Sequence, residues 1–90
     1  MHDAILTIRM EHHPGVLARI AAMLHRRAID IGALRAAPTP GDARLSELVV
    51  EARGARADLE RLALALANLV DVHDVRVTVH EPVRSGGHAG

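Results

Sequence analysis

The residues best placed to do chemistry in this chain are His13-Pro14-Gly15-Val16-Leu17-Ala18-Arg19-Ile20, which directly follow the hydrophobic run Ala4 to Met10. Proline suits a first helical position, where its missing N–H would go unpaired anyway, and glycine lets a ligand or a second backbone come close. Bare N–H groups near Gly15, Val16 and Leu17 would form a receptor for a carboxylate, helped by the partial positive charge of a helix start. An accompanying ammonium group needs an acceptor, and Asp30, just beyond the helix, is the candidate. A small apolar side chain would sit among Val16, Leu17 and Ile31. The plainer alternatives are that Pro14-Gly15 only starts a tightly packed helix and that Asp30 only caps a turn.

Other chemistries find less support. Cysteine is absent, which removes disulfides, thiolate metal sites and cysteine nucleophiles together. Of the seven histidines, His12 and His13 are adjacent and point in opposite directions on an extended segment, and no pair has His-x-x-x-His spacing on a helix. No metal site is expected from these spacings. Ser46, Thr7 and Thr78 fall in strands without a local base, so no catalytic residue is assigned. All eleven basic residues are arginine, offset by eleven acids, and no net field draws nucleic acid or an anionic membrane. No leader-like start or apolar run of about 20 residues appears, so a soluble cytoplasmic protein is expected.

The elements that must position these residues follow from periodicity. Ala4, Leu6, Ile8 and Met10 alternate with Asp3, Thr7 and Arg9 as a strand with one buried face, and Ile5 breaks the alternation. From Pro14 to about Ala28, Leu17, Ile20, Ala21, Leu24 and Ala28 make a helical stripe, with Arg19, His25 and Arg26 turned outward. Asp30 to Ala37 is weakly alternating and runs into Pro38-Thr39-Pro40-Gly41-Asp42, a turn expected to reverse the chain, with Pro38 limiting edge extension. Ser46, Leu48, Val50 and Ala52 alternate as its partner before Gly54. Leu59, Leu62, Ala63, Leu66, Leu69 and Val70 form a second helical stripe, with Leu64 opposite it, and Val75, Val77 and Val79 mark a last strand.

The order strand, helix, strand, strand, helix, strand predicts an α+β, ferredoxin-like βαββαβ domain with a four-stranded antiparallel sheet and two helices on one face. The domain is expected over residues 3–80, with a flexible tail over 81–90. Its aliphatic core lacks any Phe, Tyr or Trp, which rules out base stacking on the sheet. A 90-residue chain gains stability from an interface. The second and fourth strands lie at the edges, and Gly32, Ala33, Leu34, Arg35 and Ala36 are poorly protected against pairing with another chain. A homodimer is therefore expected, with Asp30 reaching the carboxylate receptor from the neighbouring subunit.

Ala4 to Leu17, which includes Met10-Glu11-His12-His13-Pro14-Gly15-Val16-Leu17, resembles the opening of an ACT domain, the amino-acid-binding regulatory module. Arg26 to Thr39 resembles the regulatory small subunit of acetohydroxyacid (acetolactate) synthase more specifically. Asp58-Leu59-Glu60-Arg61-Leu62 and Leu69-Val70-Asp71-Val72-His73-Asp74-Val75 extend that similarity, which spans roughly residues 4 to 79. The short, single-domain small subunits are the nearest expectation.

The resemblance implies a non-catalytic partner that binds and activates an acetolactate synthase catalytic subunit and confers feedback inhibition by a branched-chain amino acid, usually valine. Thiamine diphosphate, Mg and FAD would belong to that catalytic subunit, and no cofactor to this chain. A stand-alone amino-acid sensor or structural homodimer serving another enzyme is the alternative. The chain departs from the family at His12 and Asp30, where asparagine is usual. Ionised aspartate only accepts hydrogen bonds, so carboxylate recognition is expected to weaken there while ammonium recognition is kept. His12 would add a donor that responds to pH near neutrality.

Overall fold

The alternating strands and the two helical stripes form along the chain in the expected order. The computed structural model describes residues 2–27 and 29–80. It contains β1 (His2–Glu11), α1 (Pro14–His25), β2 (Asp30–Thr39), β3 (Asp42–Gly54), α2 (Arg56–Ala67) and β4 (Val72–His80). The sheet order is β2-β3-β1-β4, with every neighbouring pair antiparallel. This is the predicted βαββαβ arrangement, with β2 and β4 at the edges. The expected tail over 81–90 and the helical position assigned to Ala28 lie outside the described residues.

The core is aliphatic. Leu6, Ile8, Leu48 and Val50 from the central strands meet Val16, Ile20 and Leu24 of α1 and Leu59, Leu62 and Leu66 of α2, all buried. Full burial of one such side chain contributes about 1.5–3 kcal/mol. The α1 stripe is rotated from the expected one. Val16, Ile20 and Leu24, spaced four apart, face inward while Ala21 is exposed. Leu17 and Met23 pack at the margin.

Three further expectations are corrected. The helical period suggested that α1 continues to about Ala28, but it ends at His25, where Arg26 and Arg27 donate to the carbonyls of Met23 and Leu24 at 3.3 and 3.2 Å. Such i→i−3 bonds tighten and close a last turn. Pro38 and Thr39 belong to β2 rather than to the turn; an edge strand tolerates a residue without an N–H. The reversal is made by Pro40-Gly41 alone, with Gly41 at φ +84°, the conformation a type II turn requires of its third residue. Finally, Val70 is 88% exposed, because α2 stops at Ala67 and Val70 lies in the following turn.

Ile5, which broke the alternation of β1, is 39% exposed on the sheet face away from the helices. Leu64 is exposed, as its place opposite the α2 stripe requires.

Candidate functional site

The segment joining β1 to α1 is fixed by backbone bonds on both sides. Glu11 N–H donates to the Asp71 carbonyl at 2.9 Å, and His12 N–H donates to the Arg44 carbonyl at 2.8 Å. The His12 ring joins this clamp through Nδ1, 2.5 Å from the Ser46 hydroxyl oxygen. Ser46 is a buried polar residue on β3. Part of the His12 imidazole is therefore engaged in holding the loop to the sheet.

At the start of α1, His13 is extended and supplies no side-chain cap, Pro14 occupies the first turn, and no acid lies in that turn. These features leave the positive end of the helix without a carboxylate of its own. Gly15 is open: a Cβ placed there would meet only the His13 ring, at 3.4 and 3.6 Å. Close packing on the sheet does not require glycine here. Val16 is less available than expected. Its N–H already donates to the His13 carbonyl at 3.2 Å, and its side chain is 1% exposed within the core. It cannot line an external apolar pocket, and Leu17 is half-buried against the same core.

Charged side chains surround this helix start. Arg19 donates through Nη1 to Asp71 Oδ2 at 3.1 Å, and His13 Nε2 stands 3.8 Å from the same oxygen. Glu11 Oε2 lies 3.2 Å from His73 Nε2. Arg19 thus offsets the negative charge that Asp71 brings close to the helix end.

The remaining predicted residues lie at the other end of the sheet. Asp30 opens β2, which pairs with the last residues of β3, whereas α1 begins where β1 ends. A strand of this length separates the two groups by about 30 Å within one chain. Pairing aligns Asp30, Arg53, Asp3 and His80 across all four strands. Arg53 Nε donates to Asp3 Oδ1 at 2.8 Å. That bond, with the charges of Asp3 and Asp30, raises the Arg53 guanidinium above its usual pKa. These four residues border a cleft of about 460 Å³ that also includes Ile5 and Ile31.

Gly32 to Ala36 lie on edge strand β2. A bulge between Ile31 and Ala33 accommodates Gly32. Ile31 and Leu34 share the helix-side face with Ala52 and Val50, yet remain 36% and 41% exposed. The helices cover the rest of the sheet more completely than this edge.

A family model described as "AHAS small subunit-like ACT domain" matches residues 6–74, a span that includes both the helix start and β2. The chain belongs to this family. The acetolactate synthase small subunit of Haemophilus influenzae is 38% identical over 71 residues, covering 79% of this chain and 43% of that protein. A probable acetolactate synthase small subunit of Methanothermobacter thermautotrophicus is 38% identical over 74 residues, covering 80% and 42%. The chain spans less than half the length of these curated relatives.

Solved structures extend the ACT-domain likeness in shape. The ACT domain of a GTP pyrophosphokinase from Chlorobium tepidum has a TM-score of 0.72 at 15% identity, covering 87% of this chain and all of that one, 100%. The C-terminal domain of MgtC from Mycobacterium tuberculosis reaches 0.73 at 20% identity, covering 94% of each chain. These two similarities concern the fold alone, and their different parent proteins illustrate that a fold does not fix an activity.

Asp71 and His73, the partners of Arg19 and Glu11 at the helix start, are not signalled by the sequence. Asp71 lies 52 residues from Arg19, and His73 lies 62 from Glu11. No local spacing signals such pairs.

Proposed function

We propose that this chain is the ACT domain of a regulatory small subunit of acetolactate synthase, without catalytic residues of its own. In this reading it binds and activates the catalytic subunit, which carries thiamine diphosphate, Mg and FAD, and makes it sensitive to a branched-chain amino acid, valine foremost. Membership of the family and the names of the relatives support the subunit assignment. The observation that carries the effector reading is the uncapped start of α1 beside an open Gly15. A carboxylate there gains N–H donors and the helix dipole together.

Two copies complete the proposed site. Antiparallel pairing of β2 edges about a twofold axis would set the partner's Asp30 level with Thr39, at the end of the sheet where α1 begins. The partner's Asp30 then supplies the ammonium acceptor and its Ile31 adds an apolar contact, while Pro14, Gly15, Val16 and Leu17 contribute the helix start. The Gly32–Ala36 segments form the seam, and Leu34 gains the cover that one chain does not provide. Such a seam gives an effector leverage, because occupancy changes how two protomers pack; about 1–3 kcal/mol of coupling is enough for regulation. The cytoplasm is the proposed location. Among the described residues no helix is long and apolar enough to cross a membrane.

The test joins a thermal-shift screen of all twenty amino acids with co-purification on an acetolactate synthase catalytic chain. The reading expects a branched-chain amino acid to raise the melting temperature. It also expects the two chains to co-purify, with turnover rising on addition of this one and falling again with valine. Failure to bind or activate the catalytic chain overturns the subunit assignment. A melting temperature unmoved by any amino acid overturns the effector site.

A further inference from the structure

Beside the helix start, the β1–α1 loop and the turn before β4 bring together side chains that the carboxylate receptor leaves unused. Glu11, His13 and Asp71 each offer one ligand-type atom, and the three atoms lie within 4.8 Å of one another. The backbone bond from Glu11 to Asp71 at 2.9 Å fixes the two segments that carry them. A fourth group is brought in by an irregularity in β4. Arg9 pairs with Asp74 and Met10 with Val72, so His73 is the extra residue of a bulge. Bulges re-aim side chains, and His73 Nε2 lies 3.2 Å from Glu11 Oε2.

We propose that Glu11, His13 and Asp71, joined by His73, form a binding site for a divalent transition-metal ion of the Zn²⁺ type. Two imidazoles and two carboxylates supply the four nitrogen and oxygen ligands of a tetrahedral ion. Ligand bonds of about 2.0–2.2 Å place neighbouring ligand atoms about 3.3 Å apart in that geometry. The Glu11, His13 and Asp71 atoms therefore have to draw in by about 1.5 Å or less, and His73 turns toward them from its contact with Glu11; the side chains of Glu11, His13 and His73 are 46%, 47% and 45% exposed.

The surroundings decide which metals fit. Arg19 on Asp71 Oδ2 and the positive end of α1 both oppose a cation held by charge alone. Mg²⁺ and Ca²⁺ also prefer six or more oxygen ligands. An ion that makes strong bonds to imidazole nitrogen overcomes this opposition, and Arg19 can remain on one Asp71 oxygen as an outer partner while the other ligates. Bound there, the ion would fasten the β1–α1 loop to the turn before β4. The site is independent of whether the α1 start takes an amino acid.

Isothermal titration of the metal-stripped full chain with ZnCl₂ tests the proposal, alongside visible spectra of the Co²⁺ form. One Zn²⁺ per chain is expected, with tetrahedral Co²⁺ bands, and no comparable uptake of CaCl₂ or MgCl₂. His13→Ala, Glu11→Gln and Asp71→Asn should each weaken Zn²⁺ binding about 10-fold or more. His25→Ala, on the last turn of α1, should leave it unchanged. Far-UV circular dichroism checks that each variant folds, and the Glu11→Gln result stands without disturbing the Arg19–Asp71 bond. Absence of saturable Zn²⁺ uptake overturns the site. Uptake that persists undiminished in all three folded ligand variants, or equal affinity for Ca²⁺, overturns it as well.

Discussion

Leu34 and Val50 stand directly opposite one another on the same face of the sheet, yet Val50 is 0% exposed and Leu34 is 41% exposed. The change occurs across one strand spacing, about 4.8 Å. β3 lies beneath the helices, whereas β2 extends beyond them with its backbone edge open. Replacing Leu34 by Asp is expected to leave the protomer folded, because no enclosed core space is disturbed, and to abolish the proposed dimer by placing a charge on the seam. Sedimentation velocity should then give a mass near 9.6 kDa for the variant and twice that for the parent. A parent that stays monomeric at every concentration rejects the β2 seam.

Gly15 separates ligand approach from packing. Since a Cβ there meets only the His13 ring, Gly15→Ala is expected to stabilise α1 by up to about 1 kcal/mol through helix propensity. The larger Gly15→Val should obstruct a carboxylate at the helix start and weaken amino-acid binding. Thermal melts and calorimetric titration measure the two effects in the same samples. Unchanged affinity in Gly15→Val removes the proposed carboxylate receptor.

Asp30 is predicted to distinguish amino acids from simple carboxylates. Asp30→Ala removes an ammonium acceptor while leaving the N–H groups of α1 untouched. Valine binding should fall much further than binding of isovalerate, which lacks the ammonium. Calorimetry with both ligands provides the comparison, and an equal loss for the two places Asp30 outside the ammonium site.

The order of elements was legible because alternation and helical stripes survive in an aliphatic core whose chemistry is uniform. Leu6, Ile8, Leu48, Leu62 and Leu66 are buried as their spacing requires. Errors arose where neighbouring apolar residues compete for one face. Val16 displaces Ala21 in the α1 stripe, and Val70 continues the α2 period after the helix itself has stopped. Pro38 signalled a turn, but an edge position removes the penalty of its missing N–H. The helix start was visible as a short motif. Its ring of Asp71, Arg19, Glu11 and His73 was not, because the closure of the sheet and a bulge in β4 assemble it from distant segments.

Acid sensitivity is expected at the β2–β3 hairpin. The Asp42 carboxyl is held below its ordinary value of 3.8 first by the Arg44 side-chain hydrogen bond and then by the Arg44 backbone N–H. Because the folded pKa is the lower one, this stabilisation is present above the unfolded value and disappears as pH falls through the folded value. Asp42→Ala should therefore lower the melting temperature slightly at neutral pH and have no effect at a pH below both values. A pH series of thermal melts checks this, and a difference that grows on acidification contradicts it.

The His12–Ser46 hydrogen bond predicts an asymmetric mutant cycle. Ser46 is 4% exposed, on a row of the sheet shared with Met10 and Pro38. His12→Ala would strand its hydroxyl in that apolar setting, at a cost of about 1–3 kcal/mol, whereas Ser46→Ala forfeits a hydrogen bond worth about 0.5–1.5 kcal/mol and leaves no buried group unpaired. The double variant should consequently be at least as stable as His12→Ala alone, because deleting the hydroxyl cures the defect that the first substitution creates. With no Trp or Tyr in the chain, urea unfolding is followed by far-UV circular dichroism at one fixed protein concentration, so that any dimer contribution is constant. Additive losses in the double variant would mean that the two side chains contribute separately and that this bond does not couple the loop to β3.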